Sequence, residues 1–246
     1  MSGPMEGIKV LDMAQAAAGP LAAAMLGDMG AEVIKVEPPV GDFNRNTPPH
    51  KNGANIMVAH FSRSKRGVVL DLKQEKDKEV ALKMVLWADV FLENYKPGTA
   101  ARLGFGYETL SQMNSRLIYC SVSGFGQRGP LSHKGTMEPI GQGFGGLGSI
   151  SGPPGSLGEK PRMLTLDTLT ATLGCQGILL ALYERERSGV GQKIETSQTE
   201  AAVVLQTSRL GEYFATGVNP VPMGSASPHI VPSQAFKTRD RYIVVE

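Results

Sequence analysis

A carboxylate, Asp167, stands at the head of a run that reads as a helix, where an acid can serve as cap, ligand, base or nucleophile. The residues after it mix Leu169, Leu173, Ile178, Leu179, Leu180 and Leu182 with Ala171, Gly174, Cys175, Gly177 and Ala181. A helix apolar nearly all round is a buried one, and its small residues let neighbouring elements approach closely. The run ends in Glu184-Arg185-Glu186-Arg187 and Ser188-Gly189, where glycine suits a left-handed cap. A short alternating strand follows over Gln192 to Thr196. Ser197-Gln198-Thr199-Glu200 then has the spacing of a capping box opening a second helix. A capping acid and a reactive acid look alike at this level, so the elements that position Asp167 must separate them.

Those elements alternate. Ile8 to Asp12 reads as a strand, and Gly19-Pro20 opens a helix with proline in the first turn, where its missing N–H is harmless. Ala31 to Glu37 is the next strand, stopped by Pro38-Pro39. Gly67 to Leu72, Ala88 to Glu93 and Leu117 to Val122 are further strands. Between them lie an amphipathic helix over Glu75 to Trp87 and a helical stretch over Thr99 to Asn114. Strands alternating with helices predict a doubly wound, mostly parallel, Rossmann-like α/β sheet with ligands at the carboxyl ends of the strands. The loops of interest are therefore Asp12 to Pro20, Glu37 to Arg45, Glu93 to Gly98 and Ser123 to Pro130. The first of them lacks the G-x-G-x-x-G that brings a pyrophosphate against the backbone, which argues against NAD or FAD.

From Gly124 to Gly158 the chain is glycine-rich and predicts loops packed on a core. Beyond Gly217, Pro220, Pro222, Pro228 and Pro232 mark a connection that ends in an apolar strand, Arg241 to Glu246, with nothing after it to pair with. An unpaired apolar edge is a liability. The sequence thus predicts a large domain over residues 1–216, and over 217–246 a linker and the start of a smaller domain in a truncated chain.

Composition narrows the partners. The 246 residues carry a formal charge of +2 with basic residues scattered, which argues against nucleic acid or an anionic membrane as a partner. Cys120 and Cys175 lie in apolar runs and predict buried free thiols in a reducing compartment. No apolar stretch reads as long enough to span a bilayer, and MSGPMEGIKV lacks the core of a signal peptide. A cytoplasmic protein is expected. His50, His60, His133 and His229 show no metal-ligand spacing, so no metal is expected.

Six stretches, taken together, carry a resemblance: GIKVLDMAQAAAGP, LGDMGAEVIKVEPPVGD, SKRGVVLDLK, ADVFLENYKPGTAARLGFGYETL, NSRLIYCSVSGFGQRGP and LLALYERERSGVGQKIETSQTEAAV. From about residue 5 onward the chain resembles the class III CoA-transferases, among them formyl-CoA transferase, carnitine CoA-transferase and the α-methylacyl-CoA racemases. The resemblance implies coenzyme A as a substrate with no cofactor bound permanently, an acyl-CoA and a carboxylic acid as reactants, and an interlocked homodimer. It also implies a role for Asp167, which precedes the Leu-rich helix and the A-L-x-x-R-x-x-x-G-x-G-Q motif at Ala181 to Gln192. In the family that aspartate attacks the thioester, giving a mixed anhydride and free CoA thiolate. The thiolate then converts it to an aspartyl-CoA thioester.

By the same resemblance Glu138, after Lys134, falls where formyl-CoA transferases carry an active-site glutamate. Asn94 and Tyr95, with Arg102 and Leu103, match the segment that holds the adenine end of CoA, Tyr95 stacking on the base and Arg102 meeting phosphate. Lys65 and Arg66 are placed toward phosphates, and Gln15 and Ala17 line the first loop. Two positions depart from formyl-CoA transferases. Ala17 stands where they have glutamine, and Pro38 where they have arginine. A racemase or epimerase of the same fold is an alternative. It requires a histidine where this chain has Met137, and a thioether cannot take a proton. A non-catalytic CoA-binding subunit of a heteromeric transferase is a second alternative, against which the intact Asp167 counts.

Overall fold

A computed structural model describes residues 3–246. In chain order its elements are β1 (Lys9–Asp12), α1 (Ala18–Asp28), β2 (Glu32–Glu37), a 3-10 turn (Phe43–Asn46), β3 (His50–Lys51), β4 (Ala54–Asn55), α2 (Ile56–Phe61), β5 (Lys65–Val69), α3 (Glu75–Trp87) and β6 (Val90–Glu93). They continue with α4 (Thr99–Leu103), α5 (Tyr107–Met113), β7 (Ile118–Ser123), α6 (Glu138–Phe144), α7 (Leu147–Ile150), α8 (Thr165–Ser188), β8 (Lys193–Ser197), α9 (Gln198–Leu205), α10 (Thr207–Thr216), β9 (Gln234–Lys237) and β10 (Tyr242–Val245). The chain divides into two compact units: Met1–Thr136 with Asp167–Glu200, and Met137–Leu166 with Ala201–Glu246. That division places the glycine-rich stretch outside the large unit only from Met137 onward, and it differs from a cut at 216/217.

The first unit holds a six-stranded sheet in the order β5-β2-β1-β6-β7-β8, every pairing parallel. The chain starts at β1, moves outward through β2 to β5, then returns to the other side of β1 with β6, β7 and β8. This is the doubly wound arrangement, and the strand order reverses between β1 and β6. The loops after those two strands consequently diverge at the carboxyl edge.

Both faces of the sheet are covered, so its inner strands are apolar on both sides. Val10, Leu92, Ile118 and Cys120 pack with Ala22, Ala23 and Leu26 of α1 and with Ala171, Cys175, Ile178 and Ala181 of α8. Their strand neighbours Leu11, Phe91 and Tyr119 face the other way, onto Ala81 and Val85 of α3 and onto Phe105 and Leu110. Small residues in α8 set its closeness. A Cβ on Gly177 would stand 2.9 Å from Ile194 Cγ2, and one on Gly174 would stand 3.4 Å from Thr196 Cγ2. Both cysteines are free and buried, and burial pushes the Cys120 thiol up to about 12.

Four expectations are corrected. The stretch Thr99 to Asn114 is two helices, because Gly104 ends α4 with φ +90°. The glycine-rich stretch contains α6 and α7 rather than loops alone. The last strand is paired, β10 running antiparallel to β9 through Tyr242↔Lys237 to Val245↔Gln234. And one helix, the 24-residue α8, is long and apolar enough to cross a membrane by length and composition. One face of it, with Ala171, Cys175, Ile178 and Ala181, packs under the sheet, as in a core helix that passes the same test, while Leu180 and Tyr183 are exposed.

Candidate functional site

The loop after β1 rests on a buried charge cluster. Asp12, at the strand's end, has no exposed surface. Its Oδ1 accepts from the Ala14 N–H at 2.9 Å, and its Oδ2 accepts from Lys65 Nζ at 2.7 Å. Lys35 Nζ lies 3.9 Å from Asp12 Oδ2 and 3.0 Å from Asp42 Oδ2, and donates to the Ala14 carbonyl at 2.6 Å. Two carboxylates and two ammonium groups balance, as burial of charge demands. Burial lowers the Lys65 pKa, and Asp12 opposes that shift.

Side chains from two other segments then fix the loop's backbone. Asn94 Oδ1 accepts from the Gln15 N–H at 2.8 Å, and Asn94 Nδ2 donates to the Gln15 carbonyl at 2.7 Å. Asn44 Nδ2 donates to the Ala16 carbonyl at 2.6 Å, and Asp42 Oδ1 accepts from the Ala16 N–H at 3.3 Å. Ala16 sits at φ 64°, a strained value for a residue with a Cβ, and these partners hold it there. Ala17 caps α1 and is buried. Gly19 is required by space, since a Cβ on it would stand 2.4 Å from Ala14 Cβ.

The candidates Lys65 and Arg66 are parted by the strand's alternation. The Lys65 ammonium is enclosed by Asp12 and by the Pro20 carbonyl at 2.6 Å, beneath the loop. Arg66 faces solvent and pairs with Glu32.

At the end of β6 a second cluster forms around Glu93. One carboxylate oxygen accepts from the Tyr95 N–H at 2.7 Å and the other accepts from the Ser121 hydroxyl. Gln127 Nε2 donates to the same Ser121 oxygen at 2.7 Å, joining the loops after β6 and β7. Burial raises the Glu93 pKa against these hydrogen bonds. A cavity of about 150 Å³ opens here, lined by Glu93, Lys96, Tyr107, Tyr119, Ser121 and Lys193 among others. Tyr95 packs half-buried on the core, its hydroxyl pushed up to about 12 by burial. Arg102 is exposed on α4 and donates to Thr99 Oγ1 at 2.7 Å, while Leu103 packs on the core. Asn94, Tyr95, Arg102 and Leu103 therefore share one loop and helix, and Asn94 joins them to Gln15.

Asp167 is the third residue of α8, and its Oδ1 accepts from Gln198 Nε2 at 2.6 Å. Gln198 is 5% exposed, and its Oε1 is buried without a hydrogen-bond partner among the described residues. Half of the expected capping box is present: Ser197 Oγ accepts from the Glu200 N–H at 3.2 Å. Sequence reasoning read Gln198 only as part of that box and missed its contact with Asp167. No spacing signal marked it, because Gln198 opens α9 just past the end of β8. Thr199 donates from both N–H and hydroxyl to the Gly124 carbonyl, at 3.1 and 3.0 Å, tying α9 to the loop after β7. A cavity of about 480 Å³ lies at this edge, lined by Phe125, Gly126, Gln127, Arg128, Ser197 and Glu200 among others.

Glu138 belongs to the second unit, where it opens α6 and is 4% exposed. Its Oε1 accepts from Gln142 Nε2 at 2.5 Å and from the Leu166 N–H at 2.9 Å, one residue before Asp167 in the chain. It is thus a buried acceptor at the start of α8 and not a solvated surface charge. Lys134 is exposed on a loop of the first unit.

Comparison with known proteins adds a family. The sequence profile of CoA-transferase family III matches residues 5–246. An acetyl-CoA:oxalate CoA-transferase of Acetobacter aceti is 37% identical over 99% of this chain and 63% of its own length. A succinyl-CoA:glutarate CoA-transferase of Mus musculus is 35% identical over 98% of this chain and 56% of its own. The chain spans less than two thirds of the length of these curated relatives. Among solved structures, a CAIB/BAIF family protein from Brucella suis superposes with a TM-score of 0.93 at 33% identity, covering 100% of this chain and 66% of that one. A hypothetical protein from Mycobacterium tuberculosis does so with a TM-score of 0.87 at 32% identity, covering 99% and 65%.

Proposed function

Because the chain belongs to CoA-transferase family III, we propose that it moves CoA from an acyl-CoA thioester to a free carboxylic acid, with Asp167 as the covalent relay. The observation that carries this reading is the contact between Asp167 and Gln198. One partner of the aspartate is a neutral amide on another element, which aims that oxygen. The relatives named for oxalate and glutarate support a dicarboxylic acid as acceptor.

The reaction proceeds by exchange at two carbonyl carbons. One Asp167 oxygen bonds to the thioester carbonyl carbon, the C–S bond breaks, and CoA leaves as a thiolate. The thiolate then bonds to Cγ of Asp167, and the acyl group departs as a free carboxylate. The acceptor acid runs the same two steps in reverse. Splitting the transfer in this way replaces one difficult displacement by easier ones, provided that water is excluded from the anhydride. Asp167 lies in the first turn of α8, where the helix dipole favours the ionised form needed for attack.

CoA is assigned to the carboxyl edge where the strand order reverses. There Gln15 is hydrogen-bonded to Asn94, in the segment that also carries Tyr95, Arg102 and Leu103, and Ala17 follows in the same first loop; those bonds keep that wall rigid. Lys65 contributes from below by holding Asp12. Glu138 has its role through Leu166, whose N–H it accepts. An interlocked homodimer completes the reading, with the family resemblance as its support, and a cytoplasmic location is proposed from the two buried free thiols.

The test is to incubate the intact protein with succinyl-CoA and no acceptor acid, then map adducts by mass spectrometry. A succinyl or CoA adduct on Asp167 is expected. A protein that transfers CoA while leaving Asp167 unlabelled overturns the relay. Exchange of the α-proton of an acyl-CoA without any acceptor would point instead to racemase chemistry.

A further inference from the structure

We infer that Gln198 is a catalytic residue, the donor that stabilises charge on the aspartyl oxygen when CoA thiolate attacks Asp167; the inference rests on Asp167 being the nucleophile. Three observations support it. The amide nitrogen stands 2.6 Å from Asp167 Oδ1, and only the N–H₂ end of an amide can face a carboxylate, since two oxygens would repel. The Gln198 side chain is buried at 5% exposure and meets a partly buried Asp167, so the donor is held in place by its surroundings. Its Oε1 has no hydrogen-bond partner among the described residues. A buried acceptor left unsatisfied destabilises a fold, and an aliphatic residue would fill this position without that defect. Packing therefore does not account for a glutamine here, whereas contact with Asp167 does.

The chemistry gives that contact a function. In the first step one Asp167 oxygen becomes the bridge of the anhydride as the thioester C–S bond breaks and CoA leaves with the electron pair. In the second, the thiolate sulfur bonds to Cγ, the bond from Cγ to the bridging oxygen breaks, and the acyl carboxylate leaves. Between those two events negative charge collects on the aspartyl oxygen outside the bridge. Gln198 holds Oδ1, which makes Oδ1 the oxygen on which that charge collects. A donor already in place binds the charged oxygen more strongly than the neutral carbonyl, and only such a difference accelerates a step. No proton moves in the sequence. A neutral donor suits it better than a cation, which would hold the ground-state carboxylate tightly and blunt its attack.

The experiment compares the intact wild-type protein with Gln198→Met and Gln198→Glu, using succinyl-CoA as donor and glutarate as acceptor. Gln198→Met keeps length and loses the N–H. Its kcat should fall about a hundredfold, with KM for succinyl-CoA changed less than about threefold, as for one lost oxyanion donor. In acid-quenched samples without acceptor, the ratio of succinyl to CoA adduct on Asp167 should rise, because the second step is the one slowed. Gln198→Glu keeps the shape and donates only when the introduced carboxyl is protonated, so its transfer rate should rise as pH falls. A folded Gln198→Met protein with the wild-type rate and adduct ratio overturns the assignment of Gln198 alone. If Gln198→Met does not fold, a Gln198→Glu pH profile of wild-type shape overturns it equally. Wild-type protein that transfers CoA with no adduct on Asp167 overturns the relay and Gln198 together.

Discussion

The side-chain amide of Asn94 closes a two-way hydrogen bond on the backbone of Gln15, 79 residues away, accepting from its N–H at 2.8 Å and donating to its carbonyl at 2.7 Å. It thereby mimics a strand partner for one residue of the first loop, at the point where the sheet reverses direction. Asn94→Ala should cost about 1–3 kcal/mol, the scale for two hydrogen bonds with partly buried partners left exposed to desolvation. KM for succinyl-CoA should rise while kcat changes little, because the wall of the proposed CoA site loosens and the contact of Asp167 with Gln198 is untouched. Urea unfolding and steady-state kinetics measure both; an unchanged KM would separate the loop from CoA binding.

Asp167→Asn keeps the volume and an oxygen able to accept from Gln198, but an amide is no nucleophile. CoA transfer should drop at least about a thousandfold, with binding of CoA nearly unchanged. Stability should change by about 1 kcal/mol or less, the scale of a helix cap. A cap without chemistry would retain activity at a similar change in stability. Calorimetry beside a transfer assay distinguishes the two.

Lys65→Met leaves Asp12 buried with one ammonium partner fewer, at a site where Lys35 is 3.9 Å from the affected oxygen. Removing one side of a buried ion pair typically destabilises by about 3–5 kcal/mol, much more than losing a surface pair. Arg66→Met, one residue along and exposed, should cost about 1 kcal/mol or less. The contrast in urea midpoints reports which of the two adjacent cations is structural. Equal losses would argue against the buried cluster.

Two glutamates should give pH dependences of opposite sign. The Glu37 pKa is lowered from the usual 4.5, chiefly by its hydrogen bond to Arg45. Its folded pKa lies below the unfolded one, so its stabilisation is present above about pH 4.5 and is lost as pH falls through the folded value. Glu37→Gln should remove that acid-side loss.

The Glu93 pKa is raised, burial being the largest cause. Its folded pKa lies above the unfolded one, so its contribution is full below about pH 4.5 and is lost as pH rises through the folded value. Glu93→Gln should therefore be neutral or stabilising at pH 7 and flatten the curve on that side. Thermal melts from pH 3 to pH 8, at roughly one-unit steps, resolve both signs. A wild-type slope retained in either variant would rule out its glutamate as the source.

By itself the sequence determined what depends on neighbours along the chain. Hydrophobic period and turn residues placed six parallel strands and the helix Glu75–Trp87 to within a few residues, because an element's buried face is written in its own spacing. The close-packed face of α8 was legible in its small residues, but a helix apolar nearly all round read as wholly buried, whereas Leu180 and Tyr183 are exposed. Asp167 stood out only as an acid at a helix start, and the resemblance supplied its role. Tertiary structure decided what depends on residues far apart. Gln198 lies 31 residues from Asp167, and no periodicity says that its amide turns toward that carboxylate. Lys65 and Arg66 are adjacent and alike in sequence, yet strand alternation drives one ammonium onto Asp12 and leaves the other cation in water. The last strand reads as unpaired because its antiparallel partner is recognised by backbone hydrogen bonds, which every residue offers and no side-chain pattern records.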